Sequence, residues 1–448
     1  MIKKKCFRVK NLLLVMTLVC SGVSLSAQEK LSLTLDKAIE IALSENPTMK
    51  VAGQEIELKK ESKKEAYAGL FPEASIVGAY SRVIEKQTMA MKFGGSAMKI
   101  KVGTTNSYNA GLQLALPVYA PALYKAINLS ETDVNLAVEK SRASKLDMIN
   151  EVTKAYYQLL LAQDSYEVLK KSFAQSEANY AVVNAKYEQG RVSEYDKIRA
   201  EVQVRTLKPS VVSAANGVNL ALLQLKVLMG VSASLDVEVK GNLKDYEQEM
   251  YVAALSSEPV NLDNNSTLIQ LDLNKKMLDN TLSLTKTNFL PTVAASFNYS
   301  YSSLNDDYKI AHYEWYPYSS VGLNLSIPLF KASNFTKIKK VKIQMNQLVE
   351  NRNYTEKQLE MQAKSYMNNM QASAEQIESN KENVKKAVKG CEIAQKRYEV
   401  GAGTILELND SEVSLTQAEL TYNQSIYDYL TSKADLDKLV GKDMNSKK

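Results

Sequence analysis

Two periodicities divide this chain. Short segments alternate with period two: Val293, Ala295, Phe297, Tyr299 and Tyr301 on one side, and Thr292, Ser296, Asn298, Ser300 and Ser302 on the other. Leu112, Leu114 and Leu116 alternate with Gln113 and Ala115; Val321, Leu323, Leu325 and Ile327 alternate with Gly322, Asn324 and Ser326. The alternation predicts strands at about 74–86, 107–118, 292–303 and 318–328. An apolar face backed by a small or polar one suits a wall with lipid outside and water inside. Taken alone, a half-buried strand of a soluble sandwich is the commoner source of such a pattern. The joining segments, 84–106 and 304–316, are long for hairpin turns and read as loops outside a barrel.

The other periodicity is a seven-residue stripe. Tyr166, Phe173, Tyr180 and Tyr187 carry it in one region, and Ile377, Val384, Cys391 and Tyr398 in another. Such a stripe predicts a coiled-coil seam. No proline lies between Pro121 and Pro209, so 122–188 is expected to be a single helix, and 333–399 likewise. Each would be about 67 residues and roughly 100 Å long. Gly190 and Gly401 then offer left-handed C-caps. Return helices follow at about 193–229 and 404–440, with Ser193 and Thr404 as N-caps and Asp196 and Glu407 three residues on. Pro209 is expected to kink the first return helix.

These elements occur twice. An offset of 211 maps Gly111-Leu112 onto Gly322-Leu323, Tyr187-Glu188-Gln189-Gly190 onto Tyr398-Glu399-Val400-Gly401, Glu201-Val202 onto Glu412-Val413, and Gly230 onto Gly441. Repeats of helix, strand, strand, long helix and helix therefore span 28–230 and 266–441, with a small mixed segment at 231–265 and a short tail at 442–448.

Composition refines the picture. Lys3, Lys4, Lys5, Arg8 and Lys10 precede the apolar run 12–19, and Ser26-Ala27 completes the pattern of a cleaved export signal at 1–27. A permanent anchor or a lipidated Cys20 is a weaker reading, since the run is short and Val19 stands where lipidation wants a small residue. The signal takes five of the 56 basic residues and none of the 50 acidic ones, leaving 51 against 50. A nearly neutral chain gives no reason to expect a nucleic-acid partner. Cys391 is left as a lone cysteine, read as a small buried apolar residue on the stripe. No run of about 18 apolar residues, and hence no transmembrane helix, is expected after the signal. His312 is the single histidine, and no phosphate loop, zinc-protease motif or nucleophile elbow occurs. Neither an enzyme, a metal site nor a cofactor is expected.

Four strands cannot close a membrane barrel, for which about eight is the minimum, and open edges are not tolerated in lipid. Several chains must share one barrel: two would supply eight strands and three twelve. A structural coiled-coil protein of the envelope would explain the heptads but not the duplicated strand pairs.

The doubled pattern resembles the TolC family of outer-membrane efflux channels over 33–441. The resemblance is carried by Leu33-Thr34-Leu35-Asp36-Lys37-Ala38-Ile39 through Asn46-Pro47, by Phe71-Pro72 and Leu290-Pro291, and by Arg397-Tyr398-Glu399-Val400-Gly401 with its first-half partner. It implies a homotrimer in the outer membrane, a twelve-stranded transmembrane β-barrel and an α-helical barrel in the periplasm. It also implies an adaptor (membrane fusion) protein and an inner-membrane transporter of the RND, ABC or MFS type. Glu407, Asp410, Asp196 and Tyr398 match the family's periplasmic gate, while Gly403 stands where the best-known member has a basic latch residue. The tips Gly190, Arg191, Val192, Val400, Gly401 and Gly403 would dock the adaptor. Tyr313, Trp315, Tyr316 and Tyr318 are candidates for an aromatic girdle against outer-membrane lipid.

Overall fold

The computed structural model describes residues 31–93, 96–247, 260–308 and 312–442; the export signal expected at 1–27 lies outside them. The elements in order are β1 (Leu31–Leu33), α1 (Leu35–Glu45), α2 (Pro47–Ala68), β2 (Glu73–Arg82), β3 (Gln87–Phe93), β4 (Ser96–Val102), β5 (Asn106–Tyr119) and α3 (Pro121–Glu188). They continue with α4 (Glu194–Met229), β6 (Val237–Val239), α5 (Ser266–Lys286), β7 (Thr292–Asn305), β8 (Tyr316–Ser326), α6 (Ala332–Glu399) and α7 (Ile405–Leu439). The chain divides into two compact units. One holds described residues 31–46, 148–247 and 369–434; the other holds 47–147, 260–368 and 435–442.

The second unit is built on a four-stranded antiparallel sheet in the order β2-β5-β7-β8. Its register aligns Ala74, Leu114, Phe297 and Val321 in one row across the strands. The adjacent row is Ser75, Gln113, Asn298 and Ser320. Because successive side chains point to opposite faces, one face is mainly apolar and the other mainly small or polar, with Val77, Tyr316 and Tyr318 as exceptions on the polar side. The apolar face is open: Ile76 is 87% exposed, Val321 80% and Leu323 74%. A patch of that kind on a water-facing sheet would be a liability. Gly111 is required where β5 crosses β7, because a Cβ there would lie 2.5 Å from the Tyr299 carbonyl oxygen. Among the described residues β2 and β8 each pair on one side only, leaving two open edges.

The segment read as the loop 84–106 contains structure of its own. β3 and β4 pair as a separate two-stranded antiparallel ribbon, with Gln87 opposite Val102 and Met91 opposite Met98. Its root is pinned by Asp306, whose carboxylate accepts from Lys86 Nζ at 2.7 Å, Thr105 N at 2.7 Å and Thr105 Oγ1 at 2.8 Å. Those donors hold the Asp306 carboxyl down at about 2.

The first unit is helical, with a small parallel pairing of β1 and β6. Leu33, Val152, Tyr156, Leu159, Leu160, Leu225, Met229 and Leu243 form its buried core. Helix α4 continues through Pro209. It is also long and apolar enough to cross a membrane by length and composition, though it holds no unbroken run of about 18 apolar residues. Ser213, Asn216, Gly217 and Asn219 interrupt its apolar residues, so that no uninterrupted run betrays it.

Four helix ends repeat one geometry. Gly190, Gly230, Gly401 and Gly441 have φ of 69°, 70°, 76° and 68°. In each, the glycine N–H reaches back three residues and the next N–H five, as in Arg191 N to Lys186 O at 2.8 Å and Ala402 N to Arg397 O at 2.8 Å. These are Schellman turns, which satisfy carbonyls that a helix end leaves open and want a residue at positive φ. Their surroundings differ. A Cβ on Gly230 would meet Asn46 and Glu45 backbone at 2.9 Å, and one on Gly441 would collide with the Asn264 carbonyl. At Gly190 and Gly401 it would meet nothing within 4 Å.

One acid of the first unit is buried. Glu412 is 6% exposed on α7 and accepts hydrogen bonds from Asn179 Nδ2 and from Ser176 Oγ at 3.4 Å, both on α3. Burial pushes its carboxyl up, although the two bonds oppose this. With the folded value raised, the charged form costs stability at neutral pH, and that cost vanishes as pH falls and the acid protonates. Glu412→Gln keeps an acceptor for both donors and is expected to raise the thermal midpoint at pH 7, the gain shrinking in acid. A lower midpoint at pH 7 would show that the charge is held favourably.

Candidate functional site: hairpin tips and sheet wall

The two turns of the first unit meet in one cluster that includes Tyr398, with Asp196 near enough for its charge to act on the Tyr398 phenol. Val183 of α3, Ala200 of α4, Tyr398 of α6 and Ile405 and Leu408 of α7 form one buried cluster, with Tyr180, Val192 and Ala394 packed against it. Tyr398 is 9% exposed, and its hydroxyl has no hydrogen-bond partner among the described residues. Lys186 Nζ lies 4.7 Å from its ring centroid, a cation–π contact between the two hairpins. Burial raises the phenol's pKa, and the Asp196 charge adds to this. Tyr398 thus ties the tips to each other.

The two acids at the matching positions do different things. Asp196 closes a capping box: its N–H donates to Ser193 Oγ at 3.2 Å, while its carboxylate accepts from Ser193 N at 3.2 Å and Oγ at 2.8 Å. At the second tip Thr404 Oγ1 caps Glu407 N at 3.2 Å, but the Glu407 carboxylate turns to Arg397 Nη1 at 3.6 Å. Arg397 also donates from Nη2 to the Ala402 carbonyl at 3.0 Å. Gly403 sits directly against this arginine, and a Cβ there would be 3.0 Å from Arg397 Cβ. Arg397 therefore supplies a basic partner for Glu407 from the preceding helix. Sequence reasoning missed it, because ten residues and a turn separate the two. Asp410 is exposed on the same helix as Glu407, and so are Arg191, Val400 and Gly401 around the turns; Val192 is half-buried under the cluster. Cys391 is half-buried, and burial pushes its thiol up. Among the described residues no group of His, Cys, Asp and Glu converges as a metal site.

On the second unit, aromatic residues mark both ends of the sheet. At one end Tyr80 stacks on Tyr108 with centroids 4.8 Å apart, and Tyr313 and Trp315 lie 5.4 and 6.5 Å from Tyr108. Tyr313 is buried, its hydroxyl donating to the Asp307 carbonyl, so its ring is not available to lipid. Trp315, Tyr316 and Tyr318 are exposed, as is Tyr80, which the sequence reading did not pick out; but the register puts Tyr316 and Tyr318 on the face of Asn298 and Ser320, not on the apolar one where a girdle against lipid was expected. At the other end Phe71, Tyr119 and Phe330 are exposed, and Phe289 and Phe335 pack edge to face at 5.1 Å. Tyr108 and Tyr119 bracket the apolar part of β5. The eleven steps between them cover about 37 Å of strand, or about 28 Å along the normal at a tilt of about 40°. That matches the hydrocarbon thickness of a bilayer, about 30 Å.

Known proteins give the same reading. The chain is 21% identical to outer membrane protein TolC of Vibrio cholerae over 341 residues, covering 74% of this chain and 76% of that one. It is 23% identical to outer membrane protein TolC of Escherichia coli over 445 residues, covering 94% and 85%. The fold superposes on the crystal structure of the Campylobacter jejuni CmeC outer membrane channel with a TM-score of 0.70 at 16% identity, over 91% of this chain and 85% of that one. The profile of the family described as outer membrane efflux protein matches residues 38–231 and 261–442. With most of its length so matched, the chain belongs to the outer membrane efflux protein family.

Proposed function

We propose that three copies of this chain form an exit duct across the outer membrane for a tripartite efflux pump or a type I secretion system. The observation that carries this is the sheet: apolar on one face, polar on the other, framed by aromatic residues and open at β2 and β8. In lipid each open edge leaves a row of unpaired backbone groups, each costing several kcal/mol. Pairing β8 of one copy with β2 of the next satisfies both edges, and three copies give a twelve-stranded barrel with Ser75, Gln113, Asn298 and Ser320 facing the lumen. The hairpin tips would receive a periplasmic adaptor protein, behind which an inner-membrane transporter selects the cargo. Glu407 and Asp410, with Asp196 and Tyr398 beside them, would narrow the periplasmic end. No chemical step is assigned to the duct. A purely structural stalk would share the long helices but has no use for a two-faced sheet.

The test scans cysteines along β8 against Ala74→Cys on β2 in a Cys391→Ser background. Oxidation in native membranes is expected to give covalent trimers at one register, and the reconstituted protein to conduct ions in planar bilayers. Crosslinks confined to one chain, or a protein that never conducts, would overturn the shared barrel.

A further inference from the structure

The β3–β4 ribbon is not part of the sheet, and its two faces differ in kind. Met89 and Met91 lie on one face with Ile100 and Val102, and all four are exposed, by 47%, 45%, 41% and 45%. Thr88 and Ala90 lie on the other, opposite Lys101 and Lys99. From Lys86 to Val102 the chain has four lysines and no acid. An isolated two-stranded ribbon is marginally stable in water, so an open apolar face on it calls for a cover.

Its position says what the cover is. The ribbon leaves the sheet at Arg82 and rejoins it at Asn106, two residues beyond the stacked Tyr80–Tyr108 pair. That pair belongs to the aromatic belt at one end of the apolar face, so the root lies at headgroup level. The root is held by the Lys86–Asp306–Thr105 contacts and by Arg82, whose guanidinium lies 5.2 Å from the Tyr308 ring centroid. A two-faced, basic element rooted at that depth meets acyl chains on one side and anionic headgroups on the other, as an interfacial amphipathic helix does.

We infer that the β3–β4 ribbon lies in the headgroup layer of the outer leaflet, with Met89, Met91, Ile100 and Val102 against acyl chains and Lys99 and Lys101 on lipid phosphates. This rests on the sheet being the membrane wall, as proposed above, but it adds a lipid-binding surface outside the barrel. The alternative cover is the same ribbon of neighbouring copies, gathered over the mouth of the duct.

Nitroxide labels on the full-length protein decide between them. Single cysteines at Thr88, Met89, Ala90, Met91, Lys99, Ile100 and Lys101 are labelled in a Cys391→Ser background and reconstituted in bilayers with and without anionic phospholipid. Collisions with oxygen and with a water-soluble nickel chelate are then measured. With anionic lipid, labels at 89, 91 and 100 are expected to favour oxygen and those at 88, 90, 99 and 101 the chelate. Lys99→Gln and Lys101→Gln, read from a label at 89, should each lower the docked-to-free ratio about fivefold, the equivalent of one lysine at an anionic surface. Equal chelate access to both faces would overturn the inference. So would dipolar broadening between copies at 89, 91 and 100, which would instead assign the ribbon to a lid. A label at Val321, on the sheet's apolar face, serves as control: chelate access there would count against the barrel itself.

Discussion

Replacing Gly401 with tryptophan is expected to abolish efflux while leaving folded trimers in the outer membrane. The backbone at 401 has φ of 76°, and a Cβ there would meet nothing within 4 Å. The fold therefore loses only the strain of a left-handed L-residue, about 1–2 kcal/mol, and the bulk points into open space. On the proposed docking surface that space belongs to the adaptor, and an indole would fill it. Gly230 provides the contrast. Its φ is similar, 70°, but a Cβ would lie 2.9 Å from the backbone of Glu45 and Asn46. Gly230→Val should therefore lower the yield of folded protein, a different failure from the same turn. The readouts are drug susceptibility of whole cells and the amount of trimer in outer-membrane fractions. A Gly401→Trp variant that still supported full efflux would remove the tips from adaptor docking.

The second large effect expected is on ion selectivity. In the proposed trimer Glu407 and Asp410 contribute six carboxylates around one constriction. Two such charges 4 Å apart repel by roughly 4 kcal/mol at an effective dielectric of about 20. The contact of Glu407 with Arg397, 3.6 Å between groups about half exposed, offsets little of this, since exposed pairs are worth about 0–1 kcal/mol. The throat should stay negative, favour cations and be plugged by multivalent ones from the periplasmic side. Glu407→Gln with Asp410→Asn is expected to keep the trimer and to weaken both selectivity and block. Arg397→Ala, which leaves Glu407 without its arginine, should shift selectivity further toward cations. Reversal potentials in a salt gradient, with and without a trivalent cation, give the answer. If the double variant behaves as the parent does, these acids serve only as helix N-terminal residues.

Much of the helix-and-sheet architecture could be read from periodicity, because heptads and period-two alternation report which face is buried. The Schellman glycines were visible as turn residues, but not what surrounds each one: Gly401 and Gly441 look alike until the Asn264 carbonyl is placed beside the second. The β3–β4 ribbon carried a turn signal, Gly94-Gly95 between two alternating runs. The segment reads as loop because it is long for a hairpin turn between two barrel strands. The Arg397–Glu407 contact and the burial of Tyr313 depend on how a turn folds back, which residue spacing does not report. Helix α4 escaped notice as apolar because small polar residues break its run.

In the proposed ring of three, the open edges of β2 and β8 also make the duct's genetics predictable. Every chain in a closed ring is a neighbour to two others, so no copy can be silent. A cell that makes equal amounts of sound chain and of a chain able to assemble but blocked at its tip would hold about one fully sound trimer in eight, by random mixing in a closed ring of three. A tip-blocked allele should accordingly be dominant over the normal one, whereas an allele broken at both β2 and β8, unable to pair with any copy, should be recessive.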